Sequence, residues 1–148
     1  MASNPLVAQG TLNRLRGSVA VVDFPQLNVT ASFLGKEGIS LSLDGEATTY
    51  IPTMTGAVTS AEPYQMITLT VNLLKTQFVA NLYKNQQETN SLLGDIVVTP
   101  DATTLGFYNL TNCSIRSVNE LRFSGEDAGY VVTIGGYYLI NSSAWSQL

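Results

Sequence analysis

The chain has no histidine, a single cysteine and few charges. Without histidine it lacks the commonest general base, the commonest metal ligand and the usual proton switch near neutral pH. Cys113 alone permits no intramolecular disulfide and no CxxC site, and beside Ile115 it reads as a small buried hydrophobe. Lys and Arg number 7 against 11 Asp and Glu, for a net charge of −4, and no basic stripe suited to a phosphate backbone is present. Arg14 and Arg16 are the one close basic pair, in a segment with no sustained period. No apolar run approaches the roughly 20 residues that span a bilayer, so no membrane partner is expected. Met1-Ala2-Ser3-Asn4-Pro5 lacks the basic and apolar regions of a signal peptide, so synthesis in a cytosol is expected. The glycosylation patterns at Asn28, Asn109, Asn112 and Asn141 then read as chance in a chain rich in Ser, Thr and Asn.

What the chain does contain is a set of strands with one oily and one small-polar face. In Gln65–Leu73, Ile67, Leu69, Val71 and Leu73 alternate with Thr68, Thr70 and Asn72, which places the two groups on opposite faces. Leu27/Val29/Ala31/Phe33 against Asn28/Thr30/Ser32 repeats the pattern, as does Ile39/Leu41/Leu43 against Ser40/Ser42/Asp44. Solvent faces of soluble sheets ordinarily carry Lys, Glu and Arg. Charged residues here are only 12% of the chain, about half the usual share of ~25%, which fits polar surface turned toward other subunits or an enclosed space.

The length of 148 residues suits one domain with its own core. Residues 1–17 read as an extended arm and 18–148 as a single β domain. A short strand over Ser18–Val22 leads through Pro25 to a strand over Leu27–Leu34, and Gly35-Lys36-Glu37-Gly38 predicts a hairpin onto Ile39–Asp44. Residues 45–64 form a long loop whose Tyr50, Ile51, Met54 and Val58 argue against plain disorder. Either it projects and becomes ordered against another subunit, or it folds back on its own domain. Thr76 is a candidate N-cap for one helix, with Phe78, Val79 and Leu82 as its core stripe and Tyr83 at the margin. Strands follow at Ile96–Thr99, Gly106–Ser117 and Asn119–Gly125. The last run, Gly129–Ile140, is apolar on both faces, with Gly135-Gly136 suggesting a bulge or close backbone approach. The expected fold is mainly β, an antiparallel sandwich or barrel with one helix.

Chemistry is hard to place on these residues. Ser117 and Ser124 sit in no nucleophile motif, and the carboxylate pairs Asp44/Glu46 and Glu126/Asp127 fall at predicted turns. Gly135-Gly136 lies inside a strand and so is no phosphate loop. No catalytic residue, metal ligand or cofactor is expected. Two non-catalytic readings remain, a subunit of a homo-oligomeric ring or tube and a β-sandwich ligand-binding or adhesion module. The second is less well served, since Trp145 lies in the C-terminal tail and Tyr137-Tyr138 lie in the apolar strand.

The order of elements, with the stretches FPQLNVTASFLGKEGISLSLDG, PYQMITLTVNLLKTQFVANLYKNQQETNSLLGD and GYVVTIGGYYLINSS, resembles the tail tube proteins of contractile-tailed bacteriophages. These are similar in fold to the tube proteins of type VI secretion. The likeness runs from about Leu12 to Ser142. It implies hexameric rings stacked into a tube, a barrel fused from strands of all subunits, and passage of the viral genome through the lumen. It also implies a sheath outside, baseplate and tail-terminator partners, and a place in the virion tail after assembly in the host cytoplasm. On this reading Asn28, Thr30, Ser32, Ser40, Ser42, Asp44, Thr68, Thr70 and Asn72 face the channel. Arg14, Arg16, Tyr50, Ile51, Met54 and Val58 contact neighbouring subunits.

Overall fold

The computed structural model describes residues 16–75, 77–100, 106–121, 123, 126 and 129–145. Eight strands and a helix carry the fold: β1 (Gly17–Val21), β2 (Leu34–Asp44), β3 (Thr48–Pro52), β4 (Ala57–Ala61), β5 (Tyr64–Leu74), α1 (Phe78–Thr89), β6 (Leu92–Pro100), β7 (Tyr108–Val118) and β8 (Gly129–Leu139). A single helical turn, α2 (Ser142–Trp145), follows β8. Six strands form one antiparallel sheet in the order β1-β6-β7-β8-β5-β2, and β3-β4 form a separate hairpin. The large sheet curls into a half-barrel. Its first and last strands approach where Gly17 of β1 meets the Ile39 side chain of β2.

The alternation read in β5 is the axis of the core. Ile67, Leu69, Val71 and Leu73 are buried and stand opposite Gly136, Ile134, Val132 and Tyr130 of β8. Leu43, Leu41 and Ile39 of β2 flank them on the other side. Helix α1 lies over this face through Val79, Ala80 and Tyr83. Tyr83, expected at the margin, is fully buried and donates its hydroxyl to the Leu27 carbonyl oxygen at 2.8 Å. Phe78, expected in the stripe, is 70% exposed instead. It occupies the first helical position, where the backbone still turns out of β5. Thr76 lies outside the described residues, and Gln77 occupies the N-cap position.

The expected strand over Leu27–Leu34 does not form. Pro25–Leu27 and Ala31–Phe33 are 3₁₀ turns, joined by Val29, which makes an isolated bridge to Val19 of β1. Pro25 starts the first turn with φ fixed and no N–H to give a ladder. Leu27 and Val29 still reach the core, so the alternating pattern is satisfied without a strand. The Gly35–Gly38 corner is likewise no hairpin turn. It is an irregularity inside β2 between Leu34 and Ile39, and β2 pairs with β5. Asn119, Glu120, Leu121 and Phe123 also lie outside any strand.

The close approach expected at Gly135-Gly136 is present, but the bulges belong to β7. The β7–β8 register slips between Thr111 and Ser114 and again between Ile115 and Ser117. Asn112, at φ 49°, marks the first slip. A Cβ on Gly136 would meet Cys113 Sγ at 2.7 Å and the Thr111 carbonyl oxygen at 3.1 Å. On Gly135 it would run into the Arg116 side chain.

Candidate functional site

The face of the sheet turned away from the core joins the small-polar residues of several strands. Ser40 and Ser42 of β2 stand opposite Thr70 and Thr68 of β5, and Asp44 stands opposite Met66. Thr68 and Thr70 in turn face Gly135 and Thr133 of β8, and Thr133 faces Ser117 of β7. Six of the residues expected to line a channel, Ser40, Ser42, Asp44, Thr68, Thr70 and Asn72, therefore share one face. Asn28, Thr30 and Ser32 sit elsewhere, in the segment bridged to β1. Asn28 Oδ1 accepts from the Val21 N–H at 2.8 Å, and Thr30 Oγ1 lies 2.9 Å from Ser32 Oγ.

A chain of polar contacts crosses this face. Arg116 of β7 donates to Thr68 Oγ1 at 3.3 Å, the Thr68 hydroxyl donates to Asp44 Oδ2 at 2.6 Å, and Ser42 donates to Asp44 Oδ1 at 2.8 Å. Gly135 makes the reach possible, because without a Cβ it leaves the guanidinium stem room to lie across β8. The face thus holds its cation and its carboxylate together and presents mainly hydroxyls and amides. Thr133 Oγ1 donates to Asn119 Oδ1 at 3.3 Å, and Asn72 Nδ2 donates to the Gly38 carbonyl at 2.9 Å.

The hydroxyls of Thr68 and Ser42, with a weaker contribution from the Arg116 charge, hold the Asp44 carboxyl below its ordinary range. A depressed folded-state value means that these bonds add stability above the unfolded value, and the gain is lost as pH falls through the folded one. A carboxyl titration followed by NMR should find Asp44 protonating at lower pH than an ordinary aspartate. Thr68→Val should raise its midpoint, and an unchanged midpoint would remove Thr68 as the cause.

The same face turns apolar toward the end where β5 begins. Tyr64 and Met66 of β5 stand opposite Leu139 and Tyr137 of β8, with the Tyr64 and Tyr137 rings tilted at 5.6 Å. Asn112 Nδ2 donates to the Tyr137 hydroxyl at 3.1 Å. Beside them an open groove of about 500 Å³ is lined by Asp44, Glu46, Thr49, Glu62, Tyr64 and Met66, among others, with no basic residue in its wall.

The long loop is the β3-β4 hairpin, closed at its tip by the Thr53 N–H to the Gly56 carbonyl at 2.7 Å. Its base is tied to the sheet by Asn141, whose Nδ2 donates to the carbonyls of Ala47 at 2.9 Å and Glu62 at 2.7 Å. Beyond that base the hairpin projects, and Tyr50, Ile51, Met54 and Val58 are all exposed, Met54 completely. Folding back onto the domain, one of the two outcomes left open by the sequence, does not occur. Arg16 is exposed just before β1, and Arg14 lies outside the described residues.

Sequence reasoning did not single out Arg116, Thr133 or Asn141 for this face and hairpin base. Thr133 was hidden because β8 reads as apolar on both sides, although its outer positions Val131, Thr133 and Tyr137 are only half-buried. For Asn141, the signal is an Asn at φ 54° just past a strand end. Cys113 is buried, and burial pushes its thiol up to about 12, with the Asp95 charge adding to the shift. Thiolate chemistry at that position is suppressed. Among the described residues no cluster of His, Cys, Asp and Glu could hold a metal ion, and no helix is long and apolar enough to cross a membrane. No family profile matches the chain, and comparison with curated proteins returns no match.

Proposed function

We propose that this chain is a non-enzymatic structural subunit that assembles with copies of itself into rings, and that the rings stack into a tube around a conduit. The observation that carries this reading is the joined face of Ser40, Ser42, Thr68, Thr70, Asn72 and Thr133. It reaches the edge of the sheet at β2, where no further strand pairs among the described residues. An open strand edge is a template for another chain, and closure through neighbours removes it. A wall of hydroxyls and amides, with its Arg116 matched by Asp44, offers a passing polyanion little to grip.

The resemblance to tail tube proteins supplies the setting. The proposed conduit carries a phage genome, a contractile sheath surrounds it, and baseplate and terminator proteins close its ends in the virion tail. The groove beside Tyr64 and Met66 is the observation that favours the second reading, a ligand-binding or adhesion module. Negative-stain electron microscopy of the concentrated protein separates the two. Stacked rings or tubes with a central hole are expected. A chain that stays monomeric at every concentration and binds saccharides at the groove would replace the tube reading with the binding module.

A further inference from the structure

Asp44-Gly45 is the one Asp-Gly step in the chain, and Asn-Gly does not occur. At such a step the following residue has no Cβ to keep its nitrogen away from the side-chain carboxyl carbon, so a five-membered imide closes there more readily than before a bulkier residue. Both residues are exposed. Asp44 is the last residue of β2, paired with Met66 of β5, and Gly45 leaves the sheet at φ 91° toward the β3-β4 hairpin. The space that a Cβ on Gly45 would fill is open. The carboxylate itself is held at both oxygens, Oδ2 by the Thr68 hydroxyl at 2.6 Å and Oδ1 by the Ser42 hydroxyl at 2.8 Å. Arg116 donates to Thr68 Oγ1 at 3.3 Å, and Gln65 Nε2 donates to the Gly45 carbonyl at 3.1 Å.

We propose that Asp44-Gly45 is a site of spontaneous isomerisation to isoaspartate, and that Ser42 and Thr68 form the clamp that slows it. The reaction needs only water. The Gly45 nitrogen attacks Asp44 Cγ, the N–Cγ bond forms, and the carboxyl hydroxyl leaves as water with the amide proton. Water then opens the imide. Breaking the N–Cγ bond restores aspartate, whereas breaking the bond from that nitrogen to the Asp44 backbone carbonyl carbon leaves the chain running through Cγ, with a free α-carboxylate. The clamp acts in two ways. Ring closure requires Asp44 to rotate out of its paired, extended backbone and to release both hydroxyls. Those same bonds favour the carboxylate, which loses its oxygen less readily than the neutral acid. Of the charged groups around it, Arg116 of β7 also favours the carboxylate, while Glu46 and Glu62 share the groove wall with Asp44. Isomerisation would lengthen the backbone by one methylene between β2 and the hairpin and draw the free carboxylate back onto Cα, away from Ser42 and Thr68. The polar face would keep Arg116 and lose the acid that matches it. This holds whether the chain assembles or stays alone.

The test is to keep the folded chain warm near neutral pH for weeks and to locate isoaspartate in its digest by electron-transfer mass spectrometry, which cuts that residue at its Cα–Cβ bond. The chain unfolded in guanidinium gives the unclamped rate. Isoaspartate should build up at Asp44 in guanidinium, and more slowly in the folded chain. Thr68→Val, close to Thr in shape and suited to a strand, should speed the folded chain by about fivefold, the factor that one hydrogen bond supplies. Ser42→Ala, at an exposed position, should act in the same direction. Tyr83→Phe weakens the fold away from the clamp and should leave the rate unchanged. Circular dichroism checks that each variant folds. No isoaspartate at Asp44 even in guanidinium would remove the site. Equal rates for the folded unmodified, Thr68→Val and Ser42→Ala chains would remove the clamp. An acceleration by Tyr83→Phe as large as theirs would also remove it, because global opening would then set the rate.

Discussion

Gly136→Ala is expected to cost about 3 kcal/mol of folding stability, whereas Gly135→Ala beside it should cost far less. The difference lies in what the added methyl meets. At Gly136 it meets Cys113 Sγ, the Thr111 carbonyl oxygen and the Cys113 Cα, all held by the bulged β7 backbone in the buried interior. The Thr111 oxygen and the Cys113 Cα cannot move without shifting a strand, and the Sγ can only turn about its own Cα–Cβ bond. At Gly135 it meets the Arg116 side chain, which can swing into solvent once its bond to Thr68 is given up. Urea unfolding of both variants measures the contrast. A melting point lower by about 10 °C for Gly136→Ala would accompany the loss in a domain of this size. Equal losses for both variants would mean that the β7 bulge yields more easily than its contacts suggest.

Tyr83→Ala should be the other severe substitution, at about 4 kcal/mol. The ring fills the space between α1 and the Pro25–Leu27 turn, and its hydroxyl satisfies the Leu27 carbonyl in the interior. Burial pushes the phenol well above its ordinary range, so the donor stays protonated through the whole working pH window. Tyr83→Phe separates the two contributions. It keeps the ring and strands the carbonyl, which should cost about 1–2 kcal/mol. If the Phe variant matched the unmodified protein, water or another donor would have to reach Leu27. If the Ala variant lost no more than the Phe variant, the ring would not be filling the core.

The parts of the fold that were legible in the sequence are those where one signal acted without a competitor. In β5, four buried aliphatics alternate with small polar groups and no proline or glycine interrupts them, so strand, face and length all followed. Residues 45–64 were readable as a long loop that is not plainly disordered, because Tyr50, Ile51, Met54 and Val58 sat among turn residues, but whether it projects was left open. Leu27–Leu34 failed because alternation alone does not distinguish a paired strand from two 3₁₀ turns whose junction sends Leu27 and Val29 inward. Pro25 and the Asn28-to-Val21 bond decided it. Phe78 and Tyr83 exchanged roles because helix periodicity does not say where the helix begins. Phe78 stands at the first helical position, at the outer end of the packed face, whereas Tyr83 further along reaches the Leu27 carbonyl. The polar face itself was half visible. Its β2 and β5 members could be read, whereas the contribution of β7 depends on bulges that shift Arg116 onto Gly135, and nothing local in the sequence announces that pairing.

The strand order sets a timetable for folding. β8 lies between β7 and β5, yet it is the last of the eight strands to leave the ribosome. Until it emerges, β2-β5 and β1-β6-β7 are two separate ribbons with unpaired inner edges, and β1 must already have waited for a partner about 80 positions downstream. Pairings this distant close slowly and leave strand edges open to other chains meanwhile. A nascent chain of this kind therefore cannot complete its sheet piece by piece, and its solubility during synthesis depends on the sparing use of long apolar stretches before residue 129.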